Sequence, residues 1–312
     1  MKLKNNGTLS LNKTSTGTEY WHIEHLEGIQ KELLSILKFL DSFCREHNIL
    51  YFADAGTYIG ALRHNGFIPW DDDTDISLAK TDYLKLVSLL CNETNILNTK
   101  NYLFYTSDDN LHCSNFLASK SSCFLKVSRR LLVPTKVDIR PLNVIKNTKQ
   151  EIEKNRIYRD TANYLLFKRI RYSYEEIKSV IKYFGSREKF MKFYNNEYGL
   201  ESINDDVILT HPYFEFTKED FYINPDSIYP LRRHLFEDMQ VNIPNTDMML
   251  KKLYGDYLSY PPLDERKPAS KFNIHLSETD SQIVHILAVL LRRLKKSNFL
   301  TFLKYLILYR YK

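Results

Sequence analysis

Three observations predict an α+β chain. Short apolar runs end at turn residues, amphipathic stretches with three- and four-residue spacing lie between them, and a charged helical pattern takes over after residue 146. The expected architecture is a mixed sheet core with flanking helices, a helical insertion and a helical C-terminal region. At 312 residues the chain is long enough to bury most of its apolar surface without disulfide or metal staples. With 43% hydrophobic and 26% charged residues it is of globular composition, which excludes wholesale disorder. Glycine supplies only 9 of 312 residues, so repeat and low-complexity designs are excluded as well.

Residues 1–19 are polar and read as a flexible leader without the apolar segment of a signal peptide. Over 20–48, Leu26, Ile29, Leu33, Ile36, Leu37, Leu40 and Phe43 form one apolar stripe, so this stretch is expected to be a long helix. Residues 49–53 give a buried strand, 58–64 a short helix, and Asn65-Gly66 a turn. A second strand covers 74–78, and Thr81 is expected to cap a helix running to about Leu90. Further strands are expected at 102–105, 124–128 and 136–140, the last stopped by Pro141.

From 147 to 200 the pattern is helical, with Ile152, Ile157, Tyr164, Leu165, Ile177 and Ile181 as apolar markers. Residues 205–245 are aromatic and punctuated by proline, and 246–257 read as a further helix. The expected division is a leader (1–19), a catalytic core (20–146), a helical insertion with a pocket region packed on that core (147–280), and a basic amphipathic tail (281–312).

Charge is unevenly spread. The net charge is +6, but residues 281–312 hold seven Lys and Arg and no Asp or Glu, leaving the rest at −1. A nucleic-acid binder spreads its basic residues over the folded body, so none is expected as partner. Basic residues beside Leu, Ile and Phe instead suit an anionic membrane surface, and no run of about 18 uncharged apolar residues offers a span. The expected location is cytoplasmic, peripherally associated with the inner face of the cell membrane. The four cysteines, Cys44, Cys91, Cys113 and Cys123, show no metal-site spacing and read as buried thiols.

The chemistry concentrates in 51–78. Asp71, Asp72, Asp73 and Asp75 fall within five positions, and adjacent anions repel unless a cation or solvent compensates them. If 74–78 is extended, Asp73 and Asp75 share one side of the strand, and Asp72 faces away in a structural role. Carboxylate pairs of this kind hold Mg²⁺ or Mn²⁺ in preference to softer metals. An exposed acidic turn is the plainer reading, but the flanks Phe67-Ile68-Pro69-Trp70 and Ile76 argue for a buried strand mouth. An EF-hand fails for want of its glycine and its distal Glu. Upstream, Gly56-Thr57 at a strand-to-helix junction offers backbone N–H groups and a hydroxyl to a phosphate.

This layout resembles the nucleotidyltransferase superfamily, and the segments Gly56-Thr57-Tyr58-Ile59-Gly60-Ala61-Leu62-Arg63 and Ile68-Pro69-Trp70-Asp71-Asp72-Asp73-Thr74-Asp75 closely resemble the LicD family. Ala55 stands where that family carries its first glycine. Val137-Asp138-Ile139-Arg140-Pro141-Leu142 looks like a third family segment, with Arg140 in place of an aromatic residue. Tyr229-Pro230-Leu231, Ile243-Pro244 and Leu253-Tyr254-Gly255-Asp256-Tyr257 echo its C-terminal signature.

The resemblance implies a Mg²⁺-dependent transferase moving a phosphoryl-alcohol group from a CDP-linked donor, CDP-choline favoured, to a hydroxyl of a glycan or lipid-linked glycan, with release of CMP. The implied context is modification of a cell-surface polysaccharide such as teichoic acid or lipopolysaccharide. Asp71, Asp73, Asp75 and Asp138 are then the candidate metal ligands, with Asp73, Asp75 and Asp138 catalytic. Gly56, Thr57, Arg63, Lys126, Tyr254 and Asp256 are the candidate substrate-binding residues. Rival readings are transfer from CDP-glycerol or CDP-ribitol, passage of a nucleotidyl group from an NTP, glycosyl transfer, and a metal-free scaffold.

Overall fold

A computed structural model describes residues 10–23, 25–106, 115–126, 131–167, 173–213, 221–268 and 270–275, with backbone alone for 95, 123–126, 131–133 and 270–275. The tail at 281–312 therefore lies outside the described residues.

Ser10–Lys13 (β1) and Glu19–His22 (β2) pair as an antiparallel hairpin. The first helix, α1, is thus Leu26–Glu46, shorter at its start than the apolar stripe predicts because 19–22 are taken up in β2. Its stripe, Leu26 to Cys44, is buried, and from Ile29 onward it lies in the main core. Tyr51–Ala53 (β3) leads into Ala55–His64 (α2), whose N-terminus is capped by Asp54. Thr74–Ala79 (β4) is buried throughout and runs directly into Lys80–Asn92 (α3). The helix begins at Lys80, so Thr81 lies inside its first turn and not at the cap. Thr94–Thr99 (α4) and Tyr102–Tyr105 (β5) follow.

Asn115–Lys126 (β6) and Leu131–Lys146 (β7) are longer than the sequence suggests. Pro141 does not stop β7. Pairing with β6 ends at Asn115↔Ile139, and a new partner, Val207–Thr210 (β8), takes over from Asn143↔Thr210. The proline sits at that handover, where its missing N–H disturbs the ladder least.

Lys149–Phe167 (α5), Tyr174–Phe184 (α6) and Arg187–Asn196 (α7) form the helical insertion. Ser173 and Ser186 cap α6 and α7 by accepting the N–H groups of Glu176 and Lys189. Phe190, Tyr194 and Val180 pack with Ile145 and Ile208 in a second core. Tyr222–Ile223 (β9), Pro225–Ile228 (α8), the hairpin of Arg232–Phe236 (β10) and Met239–Ile243 (β11), Met248–Tyr254 (α9) and Ser270–His275 (β12) complete the described chain. The stretch 246–257 is helical only over α9.

Among the described residues eight strands join in one mixed sheet. Its main path runs β12-β6-β7-β4-β3, with β5 on β6 and with β8 joining β7 to β9. Among the described strands of this sheet only β4 and β7 pair in parallel. Lys80, at the β4–α3 junction, ties this sheet to the insertion: its ammonium donates to Asn143 Oδ1 (3.0 Å) and to the carbonyl of Tyr194 (2.5 Å).

Burial pushes the Lys80 ammonium down to about 7. Between roughly pH 7 and 10 the unfolded chain binds a proton there that the folded chain does not, so stability rises with pH across that window. Lys80→Met is expected to reduce the slope of unfolding free energy against pH by up to about 1.4 kcal/mol per pH unit. Urea titrations at pH 7, 8 and 9 check this; parallel curves for the two proteins would contradict it.

Candidate functional site

Alternation along β4 and β7 builds the site. Ile76, Leu78, Val137 and Ile139 are fully buried in the main core. The intervening residues turn to the other face, where the parallel register sets Asp75 beside Asp138 and Ser77 beside Arg140.

The acidic loop before β4 is held from several sides. Phe67, Ile68 and Trp70 are buried, and Gln30 of α1 donates its amide to the carbonyls of Asp71 (3.0 Å) and Ile68 (3.4 Å). A Cβ at Gly56 would collide with the Asp71 carboxylate, so the glycine lets that carboxylate lie against the first turn of α2. Thr57 is buried and accepts the Asp75 N–H at 2.9 Å. Gly56 and Thr57 thus pack against the acidic strand and hold it in place.

Two carboxylates are strongly perturbed. Burial raises the Asp71 carboxyl well above the usual range, and the charges of Asp73, Asp72 and Asp75 raise it further. Asp75 is raised mainly by burial; Arg140 opposes the shift, while Asp73, Asp138 and Asp54 add to it. The Arg140 guanidinium meets Asp75 Oδ1 at 2.7 Å in a buried ion pair. Lys136 is ion-paired with Asp138. Asp72 is buried, with its charge felt at Asp71.

Other candidates divide. Arg63 donates from Nη1 to the carbonyls of Tyr257 (3.0 Å) and Ser259 (3.2 Å) and lies 4.7 Å over the Tyr260 ring, with Asp71 in electrostatic reach. Its visible work is to fasten α2 to the loop after α9. Tyr254 ends α9 half-exposed; burial of its phenol raises its pKa, and Asp54, Asp75 and Asp71 reach it electrostatically. Asp256 is exposed and accepts the Ser259 hydroxyl. The side chain of Lys126 lies outside those described.

Sequence reasoning missed Asp54 and His211. Asp54 is buried, accepts the Ala55 N–H (2.7 Å) and the Ser77 hydroxyl (2.5 Å), and so joins β3, α2 and β4 at the site. An Asp just before a helix is the N-cap signal that would have found it. His211, buried after β8, is felt by Asp54, Arg140 and Arg159 and is held below its ordinary pKa chiefly by burial. No local pattern marks it.

Among the described residues no three His, Cys, Asp or Glu side chains converge on one point as a metal cage. Arg140 and Lys136 hold Asp75 and Asp138 in ion pairs instead. The donor chemistry nevertheless fits a divalent ion. All donors are carboxylate oxygens, and Asp71 and Asp73 hold their carboxyl groups in hydrogen-bonding contact, an arrangement that needs a proton or a cation between them. Two open surface hollows, one beside Asn98 and Lys120 and one beside Tyr164 and Lys178, lie away from these carboxylates.

A family model described as LicD/FKTN/FKRP, nucleotidyltransferase domain, matches residues 48–133. Residues 48–133 belong to the LicD family. The lipopolysaccharide cholinephosphotransferase LicD of Haemophilus influenzae is 38% identical over 76 residues, 24% of this chain and 27% of that protein. Uncharacterized proteins of Rickettsia prowazekii and Rickettsia typhi are 38% and 36% identical over 58 residues, 19% of this chain and 22% and 19% of theirs. The matched stretches thus span about a quarter or less of these curated relatives. The LicD segment contains Asp54, Gly56, Thr57, Arg63 and Asp71 to Asp75, while Asp138 and Arg140 follow it on β7.

Within the LicD segment Ala55 has a φ of 47°, in the left-handed region that suits the family's glycine. That backbone costs a residue with a Cβ about 1–2 kcal/mol, while glycine adds about 0.5–1 kcal/mol of chain entropy to lose. Ala55→Gly is therefore expected to stabilise the protein by up to about 1 kcal/mol. A higher urea midpoint at unchanged slope checks this; a lower midpoint would contradict it.

Proposed function

We propose that this chain transfers a phosphoryl-alcohol group, phosphocholine favoured, from a CDP-linked donor to a hydroxyl of a cell-surface glycan or its lipid-linked precursor. The observation that carries the reading is the in-register pair Asp75 and Asp138 beside the Asp71–Asp73 loop, which lies in a segment similar to a cholinephosphotransferase. Phosphoryl transfer depends on positioning and charge compensation more than on covalent help from the protein, and a face of clustered carboxylates is suited to it.

Asp71, Asp73 and Asp75, with Asp138 beside them, are the groups to hold Mg²⁺ or Mn²⁺. A bound divalent ion would compensate the donor's pyrophosphate charge. Asp138 would accept the proton of the acceptor hydroxyl once released from Lys136. The acceptor oxygen then bonds to the phosphorus of the alcohol phosphate, the bond from that phosphorus to the bridging oxygen breaks, and CMP leaves. Asp54 and Thr57 keep β3, α2 and β4 in register for this. Tyr254, within electrostatic reach of Asp54, Asp75 and Asp71, would meet the donor.

The basic segment 281–312 belongs to the same proposal as a dock on an anionic leaflet at the inner face of the cell membrane. Among the described residues no helix is long and apolar enough to cross a membrane.

A second reading, passage of a nucleotidyl group from an NTP, is favoured by the description of the matched model as a nucleotidyltransferase domain. The leaving group separates the two. Incubation with CDP-choline, CDP-glycerol, CDP-ribitol or CTP, plus Mg²⁺ and a glycan acceptor, is expected to release CMP, fastest from CDP-choline. Pyrophosphate from CTP alone would support the second reading, and no product from any donor would overturn both.

Asp73→Asn and Asp75→Asn are each expected to lower CMP release at least about a hundredfold in folded protein, since ~1.36 kcal/mol of lost transition-state stabilisation is tenfold. Chelation of divalent ions should have the same effect, reversed by adding Mg²⁺. More than about a tenth of wild-type rate in both variants would contradict the assignment.

A further inference from the structure

Arg140 has no role in the reaction as described so far, yet it occupies the middle of the carboxylate face. Residues 138 and 140 alternate onto the same side of β7 as Asp75 and Ser77 on β4, so the arginine enters the site directly from the strand. Its guanidinium contacts Asp75 Oδ1 at 2.7 Å, with Asp75 buried and the arginine side chain nearly so. Asp54, Asp138 and Asp73 all lie within its electrostatic reach.

Sites built from neighbouring carboxylates can hold two divalent ions about 3.5–4 Å apart, bridged by shared oxygens. Asp75 would be the ligand two such ions share, since Asp138 is its register neighbour and Asp73 lies within its electrostatic reach. That ligand is already in an ion pair. An arginine keeps its charge at every working pH and cannot exchange with solvent as a metal does. Displacing it would take from a largely buried guanidinium the carboxylate it contacts, and breaking such a pair is costly.

We propose that Arg140 is a built-in cation that stands in for a second divalent ion, so that the site binds a single metal ion, on the Asp71–Asp73 side. The ion pair thereby sets the metal stoichiometry and anchors Asp75 whether or not metal is present. This inference rests on the proposed function only in taking the carboxylates as metal ligands. It is read from metal binding without donor or turnover.

The test is a Mn²⁺ titration of the full-length chain, followed by the loss of the free-ion electron paramagnetic resonance signal. Wild type is expected to bind one tight ion per chain. Arg140→Gln, which removes the charge and frees Asp75, is expected to bind two, or to tighten a second, weak site at least tenfold. Arg140→Lys keeps the charge and should stay at one. The double variant Arg140→Gln/Asp75→Asn removes the freed carboxylate and should bind at most one ion.

Two tight ions in wild type would overturn the inference, as would a single ion in a folded Arg140→Gln protein. If Arg140→Gln does not fold, the wild-type and Arg140→Lys counts decide it alone. Two ions in wild type with CMP release intact would overturn this inference and leave the proposed function standing. No Mn²⁺ bound by any variant would overturn both the inference and the metal assignment.

Discussion

The ion pair between Asp75 and Arg140, set up by the parallel pairing of β4 and β7, is the interaction on which the site depends. β4 is buried along its whole length, so a carboxylate on it cannot rely on water for its charge. Asp75 finds its countercharge on the adjacent strand at 2.7 Å, and Asp138 finds one in Lys136 two residues earlier on its own strand. A one-residue slip of β7 against β4 would turn Val137 and Ile139 to the polar face and put Asp138 and Arg140 into the core. The apolar parity of the two strands forbids that slip, and the same parity that builds the core therefore aligns the carboxylates.

Around this pair the structure spends its closest contacts on keeping acidic groups near one another. Gly56 leaves room for the Asp71 carboxylate, Gln30 holds the backbone of the acidic loop, Thr57 takes the Asp75 N–H, and Asp54 joins three elements through two hydrogen bonds. Like charges so placed raise the proton affinity of Asp71 and Asp75. An arrangement that works against its own electrostatics in this way is characteristic of groups held for chemistry. Removing only Arg140 would leave the other acids in place with less to offset them, which is why the arginine matters beyond its single contact.

Much of this could be read from the chain. The alternation of apolar and polar residues through 75–78 and 137–140 marks both strands, and the apolar stripe marks α1, whereas Asp73 lies before β4 begins. Other features were not legible because they depend on partners distant in sequence. The continuation of β7 through Pro141 needs β8, some seventy residues on, and local sequence marks proline only as a strand breaker. The start of α1 was misjudged because pairing with β1 draws 19–22 into a strand. Arg140 was visible as a departure from the family pattern, but its partner is fixed only by the register of β4. His211 reaches the site through the sheet and leaves no mark in spacing. Asp256 shares the motif of Tyr254, yet the turn after α9 leaves its side chain in solvent.

The central claim is that the face formed by Asp71, Asp73, Asp75 and Asp138 receives the donor's pyrophosphate through a divalent ion. A crystal structure of the full chain grown with Mn²⁺ and CDP-choline, with data at the manganese absorption edge, tests it most directly. The account predicts an anomalous peak within about 2.0–2.3 Å of carboxylate oxygens of the Asp71–Asp73 loop, with the pyrophosphate on its open side. A peak elsewhere, or a donor bound away from this face with the carboxylates in their metal-free ion pairs, would contradict it.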